Sequence, residues 1–153
     1  MAEAEVLAGV VASNLFEEWA QFIVGHWVLT GPTPDEQRTA TVTRATNDMV
    51  VVVNKLASGV TGHAVTVPDA ASGMIRQTES YDNGITEVTY INKLSSGRWA
   101  WRQTRILPDG TQETNIGSFN IGAGSNSALY NISNRVAAGK ALPNQALVLS
   151  RIG

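Results

Sequence analysis

The chain has 153 residues, no cysteine and a formal net charge of −2 at pH 7. That length fits one domain with a core of its own. The lack of cysteine excludes a disulfide scaffold, a thiolate zinc site and a cysteine nucleophile. Lys and Arg are few and scattered, so the sequence has no basic footprint for DNA or RNA.

We expect a single domain over 1–153, with an N-terminal arm at 1–13, a helix at 14–24 and a barrel at 26–152. The arm is weakly apolar but carries Glu3 and Glu5. A secretory signal would open with positive charge and then run apolar, so this segment reads as mature chain. No apolar run approaches the ~20 residues that span a bilayer. Together these features give the expectation of a cytoplasmic protein without a membrane partner.

Asn14 opens the helix with a side chain able to accept from a free first-turn N–H, and Glu17 follows three residues on, as in a capping box. Leu15, Trp19, Phe22 and Ile23 recur at three- and four-residue spacing and make one apolar stripe. Gly25 stands where a helix usually stops.

Beyond Gly25 the rhythm changes to ten short runs: 26–30, 37–45, 49–54, 61–67, 74–81, 85–92, 98–106, 111–121, 127–136 and 146–152. Thr, Val, Ile, Tyr and Trp enrich them, as strands prefer. Asn47-Asp48, Asp82-Asn83-Gly84, Ser95-Ser96-Gly97 and Pro108-Asp109-Gly110 separate neighbours, and such residues make tight turns. Short connections favour antiparallel neighbours. Sequential antiparallel strands lose their edges by closing. The fold expected is all-β: a closed antiparallel meander barrel of about 8–10 strands with one short N-terminal helix. An α+β cone would need more helix to cover its sheet.

Gly25-His26-Trp27 follows the helix and opens the first run. This resembles the Gly-x-Trp signature of lipocalin-like, or calycin, barrels, and the chain is similar to the small bacterial lipocalin-like domains of uncharacterised function. The resemblance implies that Trp27 sits at the closed end of the barrel beside Gly25. It also implies that Arg151, from the last strand, packs across the indole. A guanidinium placed there gains cation–π attraction and keeps its donors free for carbonyls. The three positions are then barrel-closing and structural. Haem-holding calycin-like barrels use an axial His, which brings His63 into view. A lone strand His is more often a surface residue, so no cofactor is expected, and two distant histidines make no metal site.

The most distinctive stretch is Arg98-Trp99-Ala100-Trp101-Arg102. Alternation puts Trp99, Trp101, Gln103 and Arg105 on one strand face. Inside a barrel, Trp99, Trp101 and Tyr90 would give flat walls to an apolar or aromatic ligand, with Gln103 or Tyr130 as a polar handle. The plainer reading is that the two Trp residues fill the core. Several middle strands carry polar residues on both faces, which suggests a partly polar interior. Glu79, Glu87, Glu113 and Tyr81 are the candidate catalytic groups should burial raise a carboxyl pKa. Each carboxylate taken singly is more often a solvated outer residue.

Three functions follow. The first is small-molecule binding in the barrel. The second is an isomerase, cyclase or lyase working on a small hydrophobic substrate. The third is a structural homodimer formed through outward-facing Trp99 and Trp101. An inward carboxylate paired with Tyr or Arg would favour the enzyme, and a uniformly apolar cavity the carrier.

Overall fold

The computed structural model describes residues 2–152, with side chains from residue 7 onward. One helix precedes the strands: α1 (Ala2–Ile23). The strands are β1 (Gly25–Thr30), β2 (Arg38–Thr46), β3 (Met49–Leu56), β4 (Thr61–Asp69), β5 (Met74–Tyr81) and β6 (Thr86–Ser95). They continue with β7 (Arg98–Ile106), β8 (Gln112–Ile121), β9 (Ser127–Ala137), β10 (Lys140–Ala141) and β11 (Gln145–Arg151). Each pairs antiparallel with its neighbour in the order β11-β1-β2-β3-β4-β5-β6-β7-β8, and β9 bonds to both β8 and β11. The sheet is therefore a closed ten-strand barrel. The two-residue β10 only extends the end of β9. The ten runs read from the sequence correspond to the ten barrel strands.

The helix differs from expectation. It begins at Ala2 and runs to Ile23, so the arm at 2–13 is helical and Asn14 lies inside the helix on its exposed side. The physical reason is composition. Residues 2–12 are mostly Ala, Glu, Leu and Val with no Pro. Ala, Glu and Leu are strong helix formers that need no cap at Asn14.

The second half of the helix is the plug of the barrel. Phe16, Trp19, Ala20, Phe22 and Ile23 are buried in the same cluster as Trp27, Trp99, Trp101 and Phe119. Trp19 meets Trp99 edge-on at 5.2 Å and Phe119 at 5.1 Å between centroids. Such tilted contacts suit the ring quadrupoles. Ion pairs hold the helix to the rim from outside, Glu17 with Arg44 and Glu18 with Lys93.

Trp27 and Arg151 face each other across the β1–β11 ladder. The Arg151 guanidinium carbon lies 4.2 Å from the Trp27 ring centroid. Its Nη1 donates to Val24 O at 2.8 Å and its Nη2 to Phe22 O at 2.7 Å. Trp27 Nε1 donates to Ile23 O at 2.8 Å. Three carbonyls at the helix end, left without partners by the end of the helix, are thus satisfied by two side chains of the sheet. Gly25 joins helix to strand at φ 141°, and a Cβ there would stand 2.5 Å from Arg151 Nη1. Both the backbone angle and the space call for glycine.

Arg151→Ala removes the stacked cation and leaves two helix-end carbonyls unpaired. We expect a loss of about 2–4 kcal/mol in urea unfolding, and less than half of it recovered by Arg151→Lys, which has no planar fork.

Candidate functional site

Inward side chains change character along the barrel axis. On β7 the inward series from the helix end is Trp99, Trp101, Gln103, Arg105, and on β5 it is Ile75, Gln77, Glu79, Tyr81. The series on β8, from the turn end, is Glu113, Asn115, Gly117, Phe119. The base is aromatic and the upper half is polar. Mixed polarity in the sequence is therefore an axial gradient on one face.

Between the two halves lies a cavity of about 240 Å³ that runs from Trp19 and Trp27 up to Asn83 in the β5–β6 turn. Its wall is divided. The strands β1, β2, β3 and β11 offer mainly apolar groups, Leu29, Ala40, Val42, Val52 and Leu149, together with Arg38, Asn54 and Gln145. The strands β5 to β9 offer Glu79, Glu87, Arg105, Glu113 and Arg135.

The charged wall follows from register. Glu79 is opposite Glu87, Glu87 opposite Arg105, and Arg105 opposite Glu113. Inward residues at one level become direct neighbours. Glu79, Glu87 and Glu113 are 5, 8 and 3% exposed, which overturns the reading of them as solvated outer residues. Arg105 Nε stands 2.6 Å from Glu87 Oε2, an ion pair rather than an aligned hydrogen bond. Its Nη1 donates to Glu113 Oε1 at 3.2 Å. Arg135 donates to both oxygens of Glu113, from Nε at 3.2 Å and Nη2 at 3.3 Å. Asn115 Nδ2 donates to Glu113 and also to Gln103, which in turn donates to Thr89.

Tyr81 sits between the other two carboxyls. Its hydroxyl oxygen is 2.8 Å from Glu79 Oε1 and 3.3 Å from Glu87 Oε1. A phenol carries one hydrogen, so it can donate to one of them. Both contacts become hydrogen bonds when Glu87 is protonated and donates to Tyr81, which donates to Glu79. Glu79 also accepts from Asn54 Nδ2. Burial, then the charge of Glu79, pushes the Glu87 carboxyl up to about 7 against the pull of Arg105. Burial and the two carboxylates raise the Tyr81 phenol, which stays protonated. Glu113 goes the other way. Burial would raise it, but the Arg135 hydrogen bonds and the charges of Arg105 and Arg135 together hold it below its ordinary value. Space for the Tyr81 ring comes from Gly62 on β4, where a Cβ would lie 2.7 Å from the ring.

Among the ligand-wall candidates, Gln103 and Tyr130 line the cavity. Trp101 faces inward but lies below, stacked on Tyr130 at 4.5 Å with an 18° tilt. Trp99 packs deeper against Trp19. Both are buried, so they form no outward aromatic surface for a dimer. Tyr90 lies on the outer face beside Arg102 and away from the cavity, because alternation on β6 turns its neighbours Thr89 and Ile91 inward instead. His63 is exposed on the outer face and His26 pairs with Thr41 outside. Among the described residues no group of three or more His, Asp and Glu stands close enough to hold a metal ion. Among the same residues no helix is long and apolar enough to cross a membrane.

Two charged cavity residues, Arg38 and Arg135, escaped the sequence reading, as did the amide of Asn54. Arg38 opens β2 and points inward with Ala40 and Val42. Arg135 reaches the cavity through a bulge. The pairing of β8 with β9 slips between Thr114 and Ile116, and Asn134 takes φ 49°. Strict alternation would send Asn134 in and Arg135 out. The extra residue reverses the phase and aims Arg135 at Glu113. The sequence signal is Asn134 itself, because Asn enters the left-handed region more readily than other residues with a Cβ.

The architecture is that of a closed ten-strand antiparallel barrel plugged at one end by a helix. Its backbone is similar to the crystal structure of Rv2717c from M. tuberculosis, with a TM-score of 0.62 over 89% of this chain and 96% of that one. Sequence identity is 12%, so the likeness concerns the fold alone. No protein-family model matches the chain, and no curated protein matches it in sequence.

The Glu87 proton has a thermodynamic signature. The folded state holds it up to about pH 7, whereas the unfolded chain releases it near the ordinary 4.5. Stability from this group is therefore full below about pH 4.5 and falls as pH rises through 7. Urea unfolding should show a loss of about 2–3 kcal/mol between pH 5 and pH 8. Glu87→Gln should flatten that slope. At the bulge, Asn134→Gly should change stability by less than about 0.5 kcal/mol, and Asn134→Val should cost about 1–2 kcal/mol in the same assay.

Proposed function

We propose that this barrel binds a small amphipathic molecule in its cavity, in the manner of lipocalin-like carriers. The observation that carries the reading is the uneven wall: a mainly apolar side from β1 to β3 and β11 faces the buried charges and amides of β5 to β9. A concave, partly apolar space with a few converging polar groups is what ligand sites share. A cavity of about 240 Å³ suits a compact molecule of one or two rings rather than a long chain or a macrocycle. Its apolar body would lie on Leu29, Val52 and Leu149, and its polar groups would meet the charged and amide side chains that line the same space.

One specific observation favours a second reading, acid–base catalysis on the same molecule. A buried carboxyl poised near 7 beside Tyr81 and Glu79 can give or take a proton at neutral pH. An isomerase or lyase needs such a group in a water-poor site. Glu87 would be the acid or base, and Tyr81 and Glu79 would relay the proton.

Native mass spectrometry of protein purified gently from its own host tests the first reading. A bound organic molecule, lost in the cavity-filling variant Ala40→Trp, is the expected result. A wild-type protein that carries nothing, and binds neither 2-naphthoate nor 2-naphthamide by calorimetry, would overturn it. Glu87→Gln separates the two readings. It should keep the ligand in both, and under the second it should stop conversion of that molecule.

A further inference from the structure

The cavity holds three guanidiniums, Arg38, Arg105 and Arg135, and three carboxyls, Glu79, Glu87 and Glu113. They are not matched in pairs. Arg105 contacts Glu87 and Glu113, and Arg135 binds Glu113 with two nitrogens. Arg38 has no ion pair or hydrogen bond among the described residues, and its Nε is buried without a partner. It stands on the apolar side of the wall, between Leu29 of β1 and Leu56 of β3 in the register.

The Tyr81 contacts bear on the count of negative charge. One phenolic hydrogen cannot serve two carboxylates, so satisfying both contacts requires a proton on Glu79 or Glu87, and Glu87 is the one whose burial favours it. Two carboxylates then face three guanidiniums. Of the three guanidiniums, Arg38 is the one without a carboxylate partner. Arg38 as a whole is half-buried, but its Nε is shut away from solvent and unpaired, and a matching anion at its fork would give that donor an acceptor.

We propose that Arg38 is the anchor for a single carboxylate on the ligand, making the natural class an aromatic or alicyclic monocarboxylic acid. A guanidinium fork accepts the two carboxylate oxygens side by side. The neighbouring Leu29, Leu56 and Val52 pack on the apolar body next to it. A phosphate monoester would bring up to two charges where one is uncompensated. This inference rests on the cavity-binding reading above and adds the charge of the ligand and the residue that reads it.

Calorimetry with 2-naphthoate and 2-naphthamide tests it, because the two probes share shape and differ in charge. The wild-type protein should bind the acid at least about tenfold more tightly than the amide. Arg38→Gln should erase that preference by weakening the acid alone, its unchanged amide affinity showing that the barrel is intact. Arg38→Lys should retain part of the preference. Equal affinities in the wild type, or a preference that survives Arg38→Gln, overturn the inference and leave cavity binding standing. If neither probe binds a wild type that carries a native molecule, the inference alone falls; if neither binds and the protein carries nothing, both fall together.

Discussion

Ten strands enclose more interior than their own inward side chains fill. Eight strands already make a barrel wide enough to be filled or to hold one small ligand. The extra width has to be taken up, and this chain does so in two ways. The helix enters one end and fills it with Phe16, Trp19 and Phe22. The other end keeps a cavity. The Arg151 clasp follows from the same constraint. A plug works only if the helix end is fixed to the wall, and the guanidinium ties Phe22 and Val24 to the last strand while covering Trp27 of the first.

The polar wall is poorly explained as a stability device. Buried ion pairs cost desolvation that their attraction often fails to exceed, and apolar side chains of the same size serve as well or better. The base of this barrel shows that the chain has such side chains available. Glu79, Glu87, Arg105, Glu113 and Arg135 nevertheless occupy one continuous surface facing the cavity. A role toward a bound molecule gives that surface a reason, and the Asn134 bulge, which spends a left-handed residue to turn Arg135 inward, points the same way.

Much of the fold is legible in the sequence because it depends on local chemistry. Turn residues mark the strand ends, and strand period two puts Trp99, Trp101, Gln103 and Arg105 on one face, which is the inward one. The start of the helix is less legible, since Asn14 has cap chemistry yet the residues before it propagate the helix without needing one. The site is legible in part. Glu79, Glu87, Glu113, Tyr81, Gln103 and Tyr130 can be named from mixed polarity, but their meeting at one level depends on cross-strand register, which no single strand encodes. Tyr90 falls outside because a face is fixed by the strand's phase, not by the side chain's suitability. Arg135 was hidden by a bulge that breaks the alternation used to place it. Arg38 was hidden because an Arg at a strand start is usually solvated.

The axial gradient also orders the chemistry. Aromatic rings at the base exclude water from below, so the proton shared along Glu87, Tyr81 and Glu79 sits near the turn end, where Asn83 and Ile85 border the same space. Arg38 belongs to that level too, on the opposite wall, as the first inward residue of β2. A ligand held there would lie across the barrel, its anion toward β2 and its far edge toward Glu87. Binding and proton transfer then become one geometry rather than rival ones. Neutralising Arg38 removes a positive charge that favours ionised Glu87, so an anion at Arg38 would make Glu87 hold its proton more firmly. The bound state would then hold Glu87 protonated, which is the form that donates a proton in the acid–base reading.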